Sequence, residues 1–358
     1  MSGARRARRR RHKRGDTGLI PLQMPSEPNC FQENFHRRWH HLRDSHVRAL
    51  AWLLDAPDLL DPHARQWGGK IATLSPDPAE LAAWLLALDA APAGLHAFLN
   101  IPTMSRLGRY AEKLLAFYFS ANGSLVAHGL QVQAARHDTI GEFDFLLREG
   151  ADLVHWEFAT KFYLFEAPAK VEGGDYFVGP NLADTLGAKM DKILHRQLAL
   201  SRHPASQSYL PESVMHARAL IKGWLFYHRD DTVALASSGV AVDHCRGFWC
   251  ALAEFGLIEG DCFTVVPRLS WLAPTRVPLS DGMCRNDMAI WLIEHFARDA
   301  MPVMLARLRP ETADERAASA DGSEPMALES GRGFLVPDDW RARAGDRLQR
   351  AVLRVSRA

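Results

Sequence analysis

The chain has 358 residues, of which 47% are hydrophobic and 24% charged, and this balance excludes a largely disordered protein. Five cysteines show neither a C-x-x-C spacing nor an even-numbered framework, so we expect reduced thiols in a cytoplasmic protein rather than a disulfide scaffold. No window reaches the roughly 18 apolar residues of a membrane span, and no membrane partner is expected.

The net charge of +1 conceals an uneven distribution. Eight of the 43 basic residues lie in the segment Arg5 to Arg14, which leaves 35 basic against 42 acidic residues elsewhere, a balance of −7. We expect residues 1–28 to form a disordered basic tail. Such a tail can bind phosphate backbones through counterion release, or it can serve only as a solubilising extension.

Residues 29–107 read as a helical N-terminal segment. Apolar residues recur at helical spacing from 34 to 60, which predicts one or two helices, and residues 79–99 predict another. His36 and His40 have the i, i+4 spacing that a metal site can use. A solvated helix face is the favoured interpretation, because no third ligand follows nearby.

The sequence pattern changes at residue 108, and residues 108–228 are predicted to form a compact core. The expected order is a helix, three strands, a helix and a strand, which is an α/β (α+β) arrangement with a mixed sheet flanked by helices. These elements are predicted at residues 109–121, 125–135, 139–148, 153–165, 182–201 and 217–227. Residues 229–358 predict a C-terminal α/β extension with strands near 263–271, a helix at 287–298 and a polar loop or linker at 309–330.

Acidic residues on two successive strands suggest a metal site. Strand alternation places Glu142 and Asp144 on one face of the second strand and Glu157 and Lys161 on one face of the third. The short turn between the strands would bring Asp144 and Glu157 within reach of one Mg²⁺ ion. Alternatively, Glu157 and Lys161 form a surface ion pair, and Glu142 and Asp144 lie on the solvated side of a half-buried strand.

The stretch Gly-Glu-Phe-Asp-Phe at 141–145, followed by Glu157-x-x-x-Lys161, resembles the PD-(D/E)XK phosphodiesterase superfamily. The resemblance implies an αβββαβ core, Mg²⁺ or Mn²⁺, and DNA or RNA as the usual substrate. It also implies that Asp144 and Glu157 are the two metal-binding carboxylates, Lys161 the lysine, and Glu112 an acidic residue near the metal. Lys161 stands four positions after Glu157 instead of the usual two. The whole chain is also similar to a bacterial family known only as a domain of unknown function.

The helix after the third strand carries Lys189, Lys192 and Arg196 at spacings of three and four. This spacing predicts a basic stripe that could contact a nucleic-acid backbone. Neighbouring aspartates neutralise part of the stripe, and an ordinary solvated face is the alternative. Gln197 resembles a glutamine that some nucleases of the superfamily carry on this helix.

The sequence is consistent with two functions. The first is a Mg²⁺-dependent nuclease in which Asp144 and Glu157 hold the ion and Lys161 assists. The second is a non-catalytic module of the same fold that binds nucleic acid or a protein. The displaced lysine and the acidic body favour the second, whereas the joint presence of Glu142, Asp144, Glu157 and Lys161 favours the first. Nothing specific supports a purely structural role.

Overall fold

The computed structural model describes residues 31–101, 105–135, 138–166, 176–229, 231, 238–317 and 324–355. The expected basic tail, residues 1–28, lies outside this range. The helices are α1 (Phe31–Trp39), α2 (Ser45–Asp55), α3 (Pro78–Ala90), α4 (Ala93–Leu99), α5 (Leu107–Ala121), α6 (Leu186–Lys192), α7 (Arg285–Phe296), α8 (Ala313–Ala317) and α9 (Trp340–Val355). The strands are β1 (Leu125–Ala135), β2 (Asp138–Glu149), β3 (Asp152–Phe165), β4 (Phe177–Val178), β5 (His216–Tyr227), β6 (Cys245–Ala251), β7 (Cys262–Val265), β8 (Arg276–Pro278), β9 (Met283–Cys284), β10 (Val303–Pro310) and β11 (Met326–Val336).

One mixed sheet runs through the described part of the chain, which confirms the predicted fold class. Its strand order is β1-β2-β3-β5-β6-β11-β10-β7-β9, with β4 beside β3 and β8 beside β11. The central strands β3, β5, β6 and β11 are parallel to their neighbours in that group, and the outer pairs are antiparallel. The strands that follow residue 229 therefore extend the sheet that contains the predicted core.

The predicted αβββαβ order is present as α5, β1, β2, β3, α6 and β5. Gly150 adopts a left-handed conformation, with φ of 61°, in the short turn that pairs Glu149 with Asp152. This turn makes β2 and β3 a hairpin. The chain then crosses over through α6 and returns as β5, parallel to β3.

The described part of the N-terminal segment contains four α-helices, α1 to α4, whereas the periodicity predicts two or three. Asp44 caps α2 by accepting hydrogen bonds from the backbone N–H groups of His46 and Val47, which separates α2 from α1. Pro92 separates α3 from α4. His36 is buried and its Nε2 lies 3.1 Å from the carbonyl oxygen of Glu329, so the expectation of a solvated His36 was wrong.

The helix predicted at 182–201 is much shorter in the structure. Leu182 has φ of 60°, which a helix does not allow, and α6 begins only after Thr185, whose hydroxyl accepts a hydrogen bond from Ala188 N–H. The α-helix ends at Lys192 and a π turn follows at Ile193–Gln197.

The segment predicted as a polar loop at 309–330 overlaps two strands at its ends. β10 continues to Pro310 and β11 begins at Met326. Arg309 looks like a loop residue in the sequence because it is charged, but its guanidinium forms ion pairs with Glu33 and Glu315. Residues 318–323 lie outside the described range.

Both faces of the sheet are covered where β5 crosses the molecule. Leu220 and Trp224 pack under the N-terminal helices, and Ala219 and Ile221 pack under α6. Among the described helices, none is both long and apolar enough to cross a membrane alone; α3 and α4 meet that criterion only as a pair bent by 85°. The four cysteines in the described range are free thiols.

Candidate active site

Asp144 lies where β2 separates from β3. The β2–β3 pairing ends at Phe145 and Trp156, and the Asp144 side chain reaches across to accept a hydrogen bond from the Phe158 N–H at 2.9 Å. On the other side, Gly129 of β1 stands opposite Asp144, between the paired residues His128 and Leu130, and has φ of 62°. This left-handed glycine bends β1 beside Asp144.

The predicted side-chain alternation of β2 breaks at the same place. Regular alternation would place Phe143 and Phe145 on one face. Phe145 instead belongs to the core under the N-terminal helices, whereas Phe143 packs with Leu146 and against the His155 ring. The reason is local: residues before Phe145 pair only with β1 and follow its bend. Regular alternation therefore does not hold across Asp144, which lies between these two phenylalanines.

Glu157 is 1% exposed in the middle of β3, and each of its carboxylate oxygens has a donor. His155 Nε2 lies 2.9 Å from Oε1, and the Gln197 amide donates to Oε2. His155 is fully buried, and within the described part of the chain its Nδ1 has no partner. The imidazole is therefore the tautomer that carries its hydrogen on Nε2 and donates it to Glu157.

The two carboxyl groups lie close enough to share a proton. Burial, followed by the neighbouring Glu157 charge, raises the pKa of Asp144 to about 8. Burial also raises the pKa of Glu157 to about 7, although a hydrogen bond from Asp144 and the charge of Lys189 act in the opposite direction. Burial therefore opposes ionisation of both groups, and a proton shared between them would relieve that opposition.

A half-buried lysine completes this group, and it is not the lysine predicted from the motif. Lys189 Nζ donates to Gln197 Oε1 at 3.3 Å and acts electrostatically on both Asp144 and Glu157. Burial, followed by the nearby charges of Lys161 and Lys192, lowers the pKa of Lys189.

Lys161, the predicted lysine, is bound to a different carboxylate. Its Nζ lies 2.9 Å from Asp184 Oδ2, and the Tyr163 hydroxyl donates to the same oxygen at 3.0 Å. The surface ion pair between Lys161 and Glu157, considered from the sequence alone, is therefore not formed. Glu157 is bound by His155 and Gln197 instead.

Glu112 and Glu142, the two other predicted acidic residues, have hydrogen-bond partners outside the carboxylate pair. Glu112 pairs with His128 at 2.8 Å, although its charge still raises the pKa values of Asp144 and Glu157. Glu142 accepts a hydrogen bond from Gln131 on β1 at 3.4 Å. Within the described residues, no group of three or more His, Cys, Asp or Glu side chains is placed to hold a metal ion. Glu112 and Glu142 thus do not form a three-ligand cluster with Asp144 and Glu157.

The predicted basic stripe on the helix after β3 is interrupted. Lys189 turns toward the carboxylates, whereas Lys192 and Arg196 are exposed. The physical reason is the π turn at Ile193–Gln197, which adds one residue to a turn and rotates Arg196 away from the direction of Lys189. The three residues therefore do not present a single basic face.

A cleft of about 550 Å³ lies elsewhere, on the opposite face of the sheet. Its lining contains two ion pairs, Lys222 with Asp58 at 2.8 Å and Arg38 with Asp55 at 2.6 Å, and two further carboxylates, Asp61 and Asp243. The Asp144–Glu157 site is the better candidate for chemistry, because two buried carboxyl groups there act directly on each other without an arginine or lysine of the described residues at ion-pair distance.

The model of the family described as Domain of unknown function (DUF1853) matches residues 48–336, which is most of the chain. The chain belongs to the DUF1853 family. No curated protein and no solved structure matches it. The DUF1853 region includes α5, the β1–β5 core, α6 and the added strands through β11.

In this DUF1853 protein, the sequence motif indicated Asp144 and Glu157 but not the side chains that surround them. From the sequence alone, His155 could only be placed on the same strand face as Glu157. Lys189 was assigned to a basic stripe that could contact a nucleic-acid backbone, because a regular helix gives no reason to turn it toward the carboxylates. The weak signal that could have found it was the pair Lys189 and Gln197 on one helix.

Proposed function

We propose that this DUF1853 protein is a Mg²⁺- or Mn²⁺-dependent phosphodiesterase that hydrolyses DNA or RNA. The observation that carries the proposal is the buried pair Asp144 and Glu157, whose raised pKa values reflect an electrostatic cost that a bound cation would relieve. A pair with a purely structural role would be expected to have positive partners at ion-pair distance, as Asp58 has in Lys222 and Glu329 has in Arg332.

The donor set fits a hard divalent ion. Mg²⁺ binds oxygen, is commonly held by one or two carboxylates, and keeps several waters, so a third protein carboxylate is not required. Asp144 and Glu157 would hold it, and His155 and Gln197 would fix the orientation of Glu157. When bound, such an ion supplies positive charge at the attacked phosphate and lowers the pKa of water.

The residues of the chain would attract and orient the phosphodiester. Lys189 carries a charge that acts on both carboxylates, and its ammonium group would offset the negative charge of a phosphate bound beside them. In the hydrolysis, a water oxygen forms a bond to phosphorus and the bond from phosphorus to one ester oxygen breaks. That oxygen leaves with the electron pair and takes a proton from solvent, while the attacking water releases one.

The experiment combines Mn²⁺ titration by calorimetry with cleavage of labelled single- and double-stranded DNA and RNA. We expect wild-type protein to cleave at least one substrate only with Mg²⁺ or Mn²⁺, and Asp144→Asn to lose both cleavage and tight metal binding. Asp138→Asn, an exposed change at the start of the same strand, serves as the matched control and should behave as wild type. Wild-type protein that neither cleaves nor binds metal would refute the proposal.

A second candidate is a non-catalytic module that binds nucleic acid. The engagement of Lys161 by Asp184 favours it, since the motif lysine is then occupied. Salt-dependent binding of the same labelled substrates, without metal binding or cleavage, would support this alternative.

A further inference from the structure

Lys189 and Gln197 are eight residues apart, a separation that does not align two side chains on a regular α-helix. At about 100° per residue, seven residues complete nearly two turns and an eighth rotates the side chain away by about 80°. The π turn at Ile193–Gln197 absorbs that additional residue. Gln197 is thereby returned to the direction of Lys189 and faces Glu157.

The Gln197 amide connects the lysine to the carboxylate. Its oxygen accepts from Lys189 Nζ at 3.3 Å, and its nitrogen donates to Glu157 Oε2. Because an ammonium group can only donate and a carboxylate can only accept, these two partners determine which end of the amide faces which. The lysine is therefore held at a defined place beside Asp144 and Glu157.

Lys161 lacks such a connection. Its hydrogen-bond partner is Asp184, which the Tyr163 hydroxyl also holds, and its ammonium group therefore belongs to a separate cluster beside the site. Releasing it would cost a charge-assisted hydrogen bond, whereas Lys189 already points into the site.

We propose that Lys189, and not Lys161, is the catalytic lysine of this site, and that Gln197 is the positioning residue that aims it. The proposal rests on the phosphodiesterase function proposed above. In it, the Lys189 ammonium group contacts the reacting phosphate and orients the attacking water. Gln197 contacts neither and acts through Lys189 and Glu157.

The experiment compares Lys189→Met with Lys161→Met, which remove the same charge at nearly constant length. We expect Lys189→Met to lower kcat by about 100-fold or more. For Lys161→Met we expect a higher KM with kcat within about threefold of wild type. Mn²⁺ affinity, measured by calorimetry, should be retained or increased in Lys189→Met, because a positive charge beside the two carboxylates has been removed.

Gln197→Ala tests the positioning role. At saturating Mn²⁺ we expect kcat to fall by about tenfold with KM nearly unchanged, and Mn²⁺ affinity to fall because Glu157 loses a donor, whereas a purely structural glutamine would alter the unfolding midpoint and leave kcat in place. Cleavage that survives Lys189→Met but is abolished by Lys161→Met would overturn the assignment and leave the phosphodiesterase proposal standing. Absence of both cleavage and Mn²⁺ binding in the wild-type protein would instead refute the proposed function, and the assignment with it.

Discussion

Asp144 and Glu157 occupy a site in which burial raises the free energy of ionising both carboxyl groups, and the Glu157 charge raises that of Asp144 further. Most buried charges in this protein have close opposite partners: Lys222 pairs with Asp58, and Arg332 pairs with Glu329. The carboxylate pair has hydrogen-bond donors but only the more distant charge of Lys189. A group arranged in this way reduces stability unless a ligand compensates it.

Asp144→Asn should therefore stabilise the metal-free protein. Asparagine keeps an oxygen for the Phe158 N–H and removes a carboxylate whose ionisation is opposed by burial and by Glu157. In urea unfolding at pH 8 with a chelator present, we expect the free energy of unfolding to rise by about 1–3 kcal/mol. Asp138→Asn should change it by less than about 0.5 kcal/mol. A loss of stability in Asp144→Asn would mean that the carboxylate has a structural role.

His244 predicts a pH dependence away from the site. Burial lowers its pKa to about 4, and its ring contacts the Tyr227 hydroxyl and the Ala241 carbonyl oxygen. In the unfolded chain it protonates near pH 6.5, so its contribution to stability is complete above pH 6.5 and is lost as pH falls toward 4. We expect it to remove up to about 3 kcal/mol over that range.

The measurement is the free energy of unfolding of wild type and His244→Gln between pH 4.5 and 7.5. The variant lacks the titrating ring, so it should be less stable than wild type at pH 7.5 and the gap should narrow as pH falls. A gap that stays constant with pH would show that the folded protein protonates His244 normally.

At the scale of elements, β1, β2, β3 and β5 lie within a residue or two of their predicted bounds, because alternation and a glycine turn are local signals. The helix after β3 was mispredicted, because a left-handed Leu182 and a π turn depend on packing that no periodicity shows. β11 was not predicted, and its first residues were assigned to a loop, because the glutamate at 329 looks solvated in the sequence but is buried against Arg332. The carboxylates of the site were predictable from the motif, and the inward lysine was not.

Gly129→Ala tests whether the bend in β1 positions Asp144. Alanine at φ of 62° is strained, and its added methyl group would lie 3.4 Å from Glu142 Oε1. We expect a loss of about 1 kcal/mol in the free energy of unfolding together with weaker Mn²⁺ binding. Gly108→Ala is the matched control, because that glycine lies near the start of α5 with open space around it and an ordinary φ. The control should be neutral or slightly stabilising, and equal effects in both variants would refute a role for the bend.

At the scale of the whole molecule, the N-terminal helices and the last strands share one core. Arg332 is fully buried; it pairs with Glu329 at 2.6 Å and lies over the Trp224 ring at 4.3 Å. Nearby, Arg48 donates to the carbonyl oxygen of Pro274, and His36 contacts the carbonyl oxygen of Glu329. This buried network joins α1, α2 and β11 to the strand β5 that also borders the candidate site.

Arg332→Met should strongly destabilise the protein, because it leaves the Glu329 carboxylate buried without its partner. We expect a loss of about 3–5 kcal/mol in the free energy of unfolding. The double variant Arg332→Met with Glu329→Gln should recover part of that loss, since no uncompensated charge remains. Unfolding by urea measures both, and a single variant with wild-type stability would contradict the proposed importance of the network.

The central claim is that Asp144 and Glu157 hold a divalent metal ion, and a crystal soaked in Mn²⁺ tests it most directly. The account predicts an anomalous-scattering peak at about 2.1–2.2 Å from an oxygen of each carboxylate, and no peak in crystals of Asp144→Asn. The claim would be contradicted if wild-type crystals soaked in saturating Mn²⁺ showed both carboxylates ordered and no peak between them.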